Sequence, residues 1–260
     1  MNVGQIFGIV TIIFSIIPSL ADDINATLQN EVIIQEGVYV SFFKEIQEKP
    51  EMKVPAFFID KYPVTNSQFN EFLKNNPKYQ KDKVSKLFVD QRYLKNWPSQ
   101  LLSDNELKKM GNNPVTYVSW FIANKYCKSQ GKRLPTIAEW ESASDFDRPE
   151  VLDKLLTWYS KTGDSDLRDV GKEAPNKFGV HDMHGLIWEL VHDFSSVMIS
   201  SDSRSKGDRT DGFFCGGGSV SSLDSKSYAT FMRYGFRSGL KGNYCIQNLG
   251  FRCARNYENK

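Results

Sequence analysis

Thirty-three basic side chains stand against 31 acidic ones in a chain of 260 residues, a net charge of +2. That balance gives no electrostatic reason for a nucleic acid or a membrane surface as partner, and leaves a protein or a small molecule. With no low-complexity linker the length describes one core, and 18 glycines and ten prolines scattered between short apolar runs describe a loop-rich α+β domain with little long helix.

At the N-terminus, Ile6 to Ile17 form an apolar run too short for a comfortable membrane span, and Ser19-Leu20-Ala21 supplies the small residues that precede a signal-peptidase cut. Residues 1–21 are therefore expected to be a signal peptide, 22–34 an N-terminal extension and 35–256 the domain, with the mature chain starting at Asp22 in the periplasm or outside the cell and without membrane association. An uncleaved anchor is the alternative, because no Lys or Arg precedes the apolar run. In an oxidising compartment, four cysteines read more naturally as two disulfides than as reduced ligands.

Two β-branched and aromatic runs, Gly37 to Phe43 and Ala56 to Asp60, predict strands. Thr65 with Gln68 then opens a helix whose apolar positions are Phe69, Phe72 and Leu73. Lys74 to Asn113 is a polar, lysine-rich excursion punctuated by Trp97-Pro98. Ser119 caps a second helix, carrying Ile122, Tyr126 and Cys127 and stopped by Gly131. Thr136 with Glu139 forms a capping box for a third, which buries Trp140.

The stretch Pro175 to Phe194, PNKFGVHDMHGLIWELVHDF, holds all three histidines, His181, His184 and His192, interleaved with Asp182, Glu189 and Asp193. Imidazole and carboxylate together describe either a polar surface turn or a nitrogen-and-oxygen site for iron, copper or zinc. Late in the chain come Arg204, Arg233, Arg237, Arg252 and Arg255. Arg233 and Arg237 share a face if their segment is helical, and either pair with core carboxylates or grip an anionic ligand bidentately. Cys215 lies in Phe213-Phe214-Cys215-Gly216-Gly217-Gly218, where glycines allow close approach and aromatics exclude water. It is a redox-active or copper-binding thiol, or, more simply, the partner of Cys245 in a disulfide.

Several anchors in fixed order resemble one family. They are Phe58-Ile59-Asp60-Lys61-Tyr62-Pro63-Val64-Thr65-Asn66; Pro114-Val115-Thr116-Tyr117-Val118-Ser119-Trp120 followed by GKRLPTIAEWE; the Pro175 stretch; and Asn248-Leu249-Gly250-Phe251-Arg252-Cys253-Ala254. Together they are similar to the formylglycine-generating enzyme, or sulfatase-modifying factor, family over roughly residues 35 to 255. The resemblance implies a single compact domain with a C-type-lectin-like kernel and low regular secondary structure. It also implies a disulfide between Cys127 and Cys253.

The family's enzymes hold copper through two cysteines five residues apart, shortly after a Gly-Gly-Ser turn, a soft-ligand arrangement suited to Cu(I). Here the turn is Gly216 to Ser219, and counting forward places Ser222 and Ser227 at the thiol positions, whereas counting backward from Arg233-Tyr234-Gly235-Phe236-Arg237-Ser238 places Asp224 and Ala229 there. Neither frame gives a thiol, so catalytic candidates reduce to Cys215 and the positional substitutes Ser222 and Ser227. The family's calcium motif, Gly-Asn-x-Trp-Glu, is Gly185-Leu186-Ile187-Trp188-Glu189 here, with one oxygen ligand lost. Glu189 then either holds a cation or bonds backbone N–H groups or an arginine. Calcium, copper and iron are the candidate ions, with Glu189, His181, His184 and His192 as candidate ligands. Trp188, Arg204, Tyr228, Arg233 and Arg237 are the candidate ligand-binding residues. The implied function is an exported maturation factor, with an oxidative activity left open, for another exported protein or a metabolite. The rival is a non-catalytic peptide- or glycan-binding module on the same fold, and a third reading keeps sulfatase modification itself.

Overall fold

The computed structural model describes residues 30–40, 51–145, 149–160, 167–194 and 225–258, without the side chains of 149, 150 and 225–231. Alternation of apolar and polar positions builds the main sheet. In β1 (Glu31–Ile34) and β4 (Phe57–Asp60) the residues Ile34, Phe57 and Ile59 turn inward, while Ile33 and Phe58 face outward. The two strands pair antiparallel with Ile33 opposite Phe58, and β7 (Ala254–Asn256) adds on the other side of β4, giving the order β1-β4-β7. β1 falls inside the expected N-terminal extension, so the folded unit begins before residue 35. Glu31 explains why: its carboxylate, buried in the sheet, pairs with both Arg255 and Lys132.

β2 (Gly37–Val40) and β3 (Glu51–Val54) form a separate antiparallel ribbon with Tyr39 opposite Met52. β2 covers only the first half of the expected Gly37–Phe43 strand, and the rest lies outside the described residues.

The capping boxes form as the sequence requires. Helix α1 (Asn66–Asn75) starts at Thr65, whose hydroxyl accepts from Gln68 N while Gln68 Oε1 accepts from Thr65 N. The polar excursion contains an unanticipated helix, α2 (Asp104–Met110), with its own Ser103–Glu106 box. None of its residues is fully buried, and only Leu107 and Met110, three apart, pack partly buried against the core. The excursion is nevertheless tied to the core: Trp97 is buried, and its Nε1 donates to Asn66 Oδ1 at 3.0 Å.

Helix α3 (Trp120–Ser129) begins at Ser119 and helix α4 (Ile137–Ser144) at Thr136. Helix α5 (Pro149–Ser160) was not anticipated, and it packs against helix α6 (Ser225–Ser238). Strand β5 (Trp188–Glu189) runs parallel to β6 (Leu249–Gly250), with Trp188 opposite Leu249. Gly250 is required there, because a Cβ would fall 2.4 Å from the Val115 carbonyl oxygen and 2.7 Å from Ile187 Cδ1.

The disulfide Cys127–Cys253 fastens α3 to the segment entering β7 across a sequence separation of 126. Around it Phe69, Phe72, Tyr126 and Phe251 pack edge to face or stacked at 5.3–6.3 Å. Cys245 is a buried thiol that donates to the Asn243 carbonyl. Cys215, its expected disulfide partner, lies outside the described residues. Among the described residues no helix is long and apolar enough to cross a membrane. Residues 1–21 lie outside them.

Candidate functional site

The central stretch is held by its own side chains. Asn176 Oδ1 accepts from Phe178 N and Val180 N at 3.0 and 3.1 Å, closing the turn, and its Nδ2 donates to the Ala143 carbonyl at the end of α4. Gly179, Asp182 and Gly185 all have positive φ, of 84°, 55° and 84°. The strained Asp182 is fixed by what its carboxylate accepts, the Gly171 N–H and Arg168 Nη1.

These reversals fan the three histidines apart. His181 stacks on Tyr62 at 4.7 Å, with Nδ1 2.9 Å from the Glu173 carbonyl. His184 lies edge-on to Trp140, with Nε2 3.1 Å from the Ser144 carbonyl, a contact that requires a proton on that nitrogen. Burial, reinforced by the positive Arg233, pushes its pKa down to about 3, so the ring is neutral. His192 is exposed beside Trp120.

The expected metal set does not assemble. Among the described residues no group of three or more His, Cys, Asp or Glu side chains converges. Glu189 is consumed by Arg252, which donates Nε to Oε2 at 2.8 Å and Nη2 to Oε1 at 2.7 Å, while Trp140 Nε1 donates to Oε2 at 2.7 Å. Arg252 also donates to the carbonyls of Asp60, Lys61 and His181. Of the two roles open to Glu189, arginine pairing is the one realised. A calcium ion there would have to displace a fully buried bidentate guanidinium.

Arg233 and Arg237 do share a face of α6, and it is turned onto α4. Arg233 grips Glu141 bidentately, Nε to Oε1 at 3.0 Å and Nη2 to Oε2 at 2.7 Å, and Arg237 Nη1 donates to Oε1 at 2.8 Å. Burial alone would raise the Glu141 pKa, but the two guanidinium groups overcome it and hold the carboxyl down to about 2. Among the described residues one carboxylate here serves two guanidiniums. Arg237 also lies over the Trp140 ring at 4.8 Å. Close by, the Tyr39 and Tyr234 hydroxyls hydrogen-bond each other, and burial pushes the Tyr39 pKa up to about 12.

Over these charges lies a stack of rings. Trp188 is sandwiched between Tyr159, parallel to it at 5.0 Å, and Phe236 at 4.3 Å, with Trp158 tilted against it at 5.0 Å. A void of about 10 Å³, water-sized, is lined by Trp158, Tyr159, Trp188 and both arginines. Trp158, Met183 and His184 line both that void and an open cleft of about 560 Å³ between α5 and the 173–185 turn. Asp153, Lys154, Thr157 and Glu173 give the cleft its polar wall.

Of the expected ligand-binding residues, the structure brings Trp188, Arg233 and Arg237 together. Ser227 and Tyr228 lie on α6 with side chains outside the described set, and Cys215, Ser222 and Arg204 lie outside the described residues altogether. Sequence reasoning missed Trp158, Tyr159 and Glu141. Glu141 closes the GKRLPTIAEWE motif, and its place in a helix one turn past Ile137 is the signal that marks it as inward-facing.

The model of the sulfatase-modifying factor enzyme 1-like domain matches residues 19–257. Formylglycine-generating enzyme of Mus musculus is 27% identical over 289 aligned positions, covering 88% of this chain and 76% of that protein. A second Mus musculus protein, inactive C-alpha-formylglycine-generating enzyme 2, is 25% identical over 249 positions, covering 78% and 76%. Among solved structures, PvdO from Pseudomonas aeruginosa aligns with a TM-score of 0.46 at 18% identity, over 87% of this chain and 94% of that one.

Proposed function

We propose that this chain, which belongs to the sulfatase-modifying factor enzyme 1-like family, is an exported maturation factor that recognises another exported protein or a metabolite and does not generate formylglycine through a copper–thiolate pair. The thiol inventory carries the reading. Of four cysteines, Cys127 and Cys253 are joined in the disulfide, and Cys245 is buried with a thiol that burial pushes up to about 12. A thiolate pair then has only Cys215 to draw on, and a single thiolate does not make the soft two-sulfur site that Cu(I) chemistry uses. The described residues bring together no group of three His, Cys, Asp or Glu side chains, because Glu189 belongs to Arg252 and the histidines diverge.

What the residues supply is recognition. The cleft beside Trp158 has the volume of a small-molecule or peptide site, with the Trp158 ring and both signs of charge in its wall. Contacts with Tyr159 and Trp188 hold that ring in place. A similar protein named as inactive agrees with a family fold kept without the parent activity.

Metal analysis of the purified mature protein tests this. Less than a tenth of an equivalent of copper is expected after loading with Cu(I) and desalting, as an order-of-magnitude bound. Stoichiometric copper that is lost in Cys215→Ser would overturn the reading.

A further inference from the structure

A second cleft, of about 460 Å³, opens beside the Cys127–Cys253 disulfide, away from the Trp158 cleft and sharing no lining residue with it. Its chemistry differs. Tyr126 is only 6% exposed, its ring wedged between Phe69, Phe72 and Phe251, yet it lines this cleft. Its hydroxyl makes no hydrogen bond to any described residue. The hydroxyl oxygen is not enclosed but opens onto the cleft, where it can bond a bound molecule. Burial, helped by the nearby Asp60 carboxylate, keeps the phenol protonated and able to donate.

Two amides complete the polar set. Gln68 spends Oε1 on the Thr65 cap and leaves Nε2 to donate, while Gln130 spends Nε2 on Ser129 and leaves Oε1 to accept. Tyr62 adds a second ring whose other side is stacked on His181. The charged lining is already neutral: Lys132 bridges Asp60 at 2.6 Å and Glu31 at 2.7 Å, and Glu31 pairs with Arg255. Two cations balance two anions, so neither an anionic nor a cationic ligand finds an uncompensated partner.

We infer that this cleft binds a neutral polyhydroxylated ligand, a sugar, through the Tyr126 hydroxyl and the free amide atoms of Gln68 and Gln130. Each hydroxyl of a sugar both donates and accepts, which matches a donor, an acceptor and a phenol set around tyrosine rings. A peptide backbone would instead need an open strand edge, and the cleft offers side chains. The site stands independently of the function proposed for the Trp158 cleft.

Saturation-transfer NMR on the mature protein tests it, with methyl β-glucoside, methyl α-mannoside and N-acetylglucosamine as probes, and choline and glutamate as charged comparators. At least one neutral sugar is expected to take up saturation. Tyr126→Phe keeps the ring packing and should weaken that sugar about three- to tenfold, the range of one hydrogen bond. Gln130→Ala, at an exposed position, should do the same if Tyr126→Phe folds poorly, and Trp158→Ala in the other cleft should change nothing. No transfer to any of the three sugars, stronger transfer to a charged comparator, or unchanged binding in both cleft variants would overturn the inference.

Discussion

Replacing Glu141 by Gln should unfasten the candidate site without changing its shape. The side chain keeps its volume and loses its charge, so Arg233 and Arg237, both at least 96% buried, lose the carboxylate that they share. Removing one partner of a buried ion pair costs about 3–5 kcal/mol. The titration gives a second route to the magnitude. A carboxyl lowered from 4.5 to about 2 is favoured in its charged form by the folded state, which at about 1.4 kcal/mol per pH unit amounts to about 3 kcal/mol. The sign follows from linkage: a depressed folded pKa contributes stability that is complete above the unfolded value and is lost as pH falls through the folded one. Wild type should therefore shed this contribution between about pH 4.5 and pH 2. Glu141→Gln should be less stable at pH 7 by about 3 kcal/mol and should lack that component of the acid limb. Urea denaturation at pH 7, 5 and 3, followed by near-ultraviolet circular dichroism of the Trp188 stack, measures both. A loss under about 1 kcal/mol, or an acid limb identical to that of wild type, would refute the reasoning that this cluster holds α6 onto α4.

Three further outcomes follow from other parts of the chain. Cys127→Ser should lose up to about 5 kcal/mol in the chain-entropy picture for a loop of 126 residues, and non-reducing peptide mapping should recover the Cys127–Cys253 pair; unchanged melting would contradict it. Cys245, with its thiol pushed up to about 12, should resist iodoacetamide at pH 8 in the native state and react once urea opens the core, so rapid native labelling would place it elsewhere. Intact mass of the exported form should begin at Asp22, and a membrane-bound product retaining Met1 to Ala21 would show an uncleaved anchor.

What the sequence could show and what it could not divide along physical lines. Capping boxes are local, so Thr65 with Gln68 and Thr136 with Glu139 were legible, as was the shared helical face of Arg233 and Arg237. The Cys127–Cys253 pair was legible only through the family resemblance, because spacing alone does not choose a connectivity. Glu189 left two roles open, and its choice of Arg252, 63 residues away, is a long-range fact no local pattern encodes. The histidines also left two readings open, a polar turn or a metal site. Close in sequence, they are separated by backbone reversals at Gly179, Asp182 and Gly185. Trp158 and Tyr159 went unread because they sit side by side on α5, and only the arrival of Trp188 and Phe236 from two other elements makes a stack of them.

The central claim is that a family member has kept the fold and lost the copper–thiolate chemistry. Mass spectrometry of a sulfatase-type cysteine peptide, incubated with the mature protein, copper and reductant, tests it most directly. The account predicts that the peptide leaves unchanged, because Cys127 and Cys253 are bonded to each other and Cys245 is enclosed in the core. Loss of about 18 Da at the cysteine, the conversion of thiol to aldehyde, would contradict it.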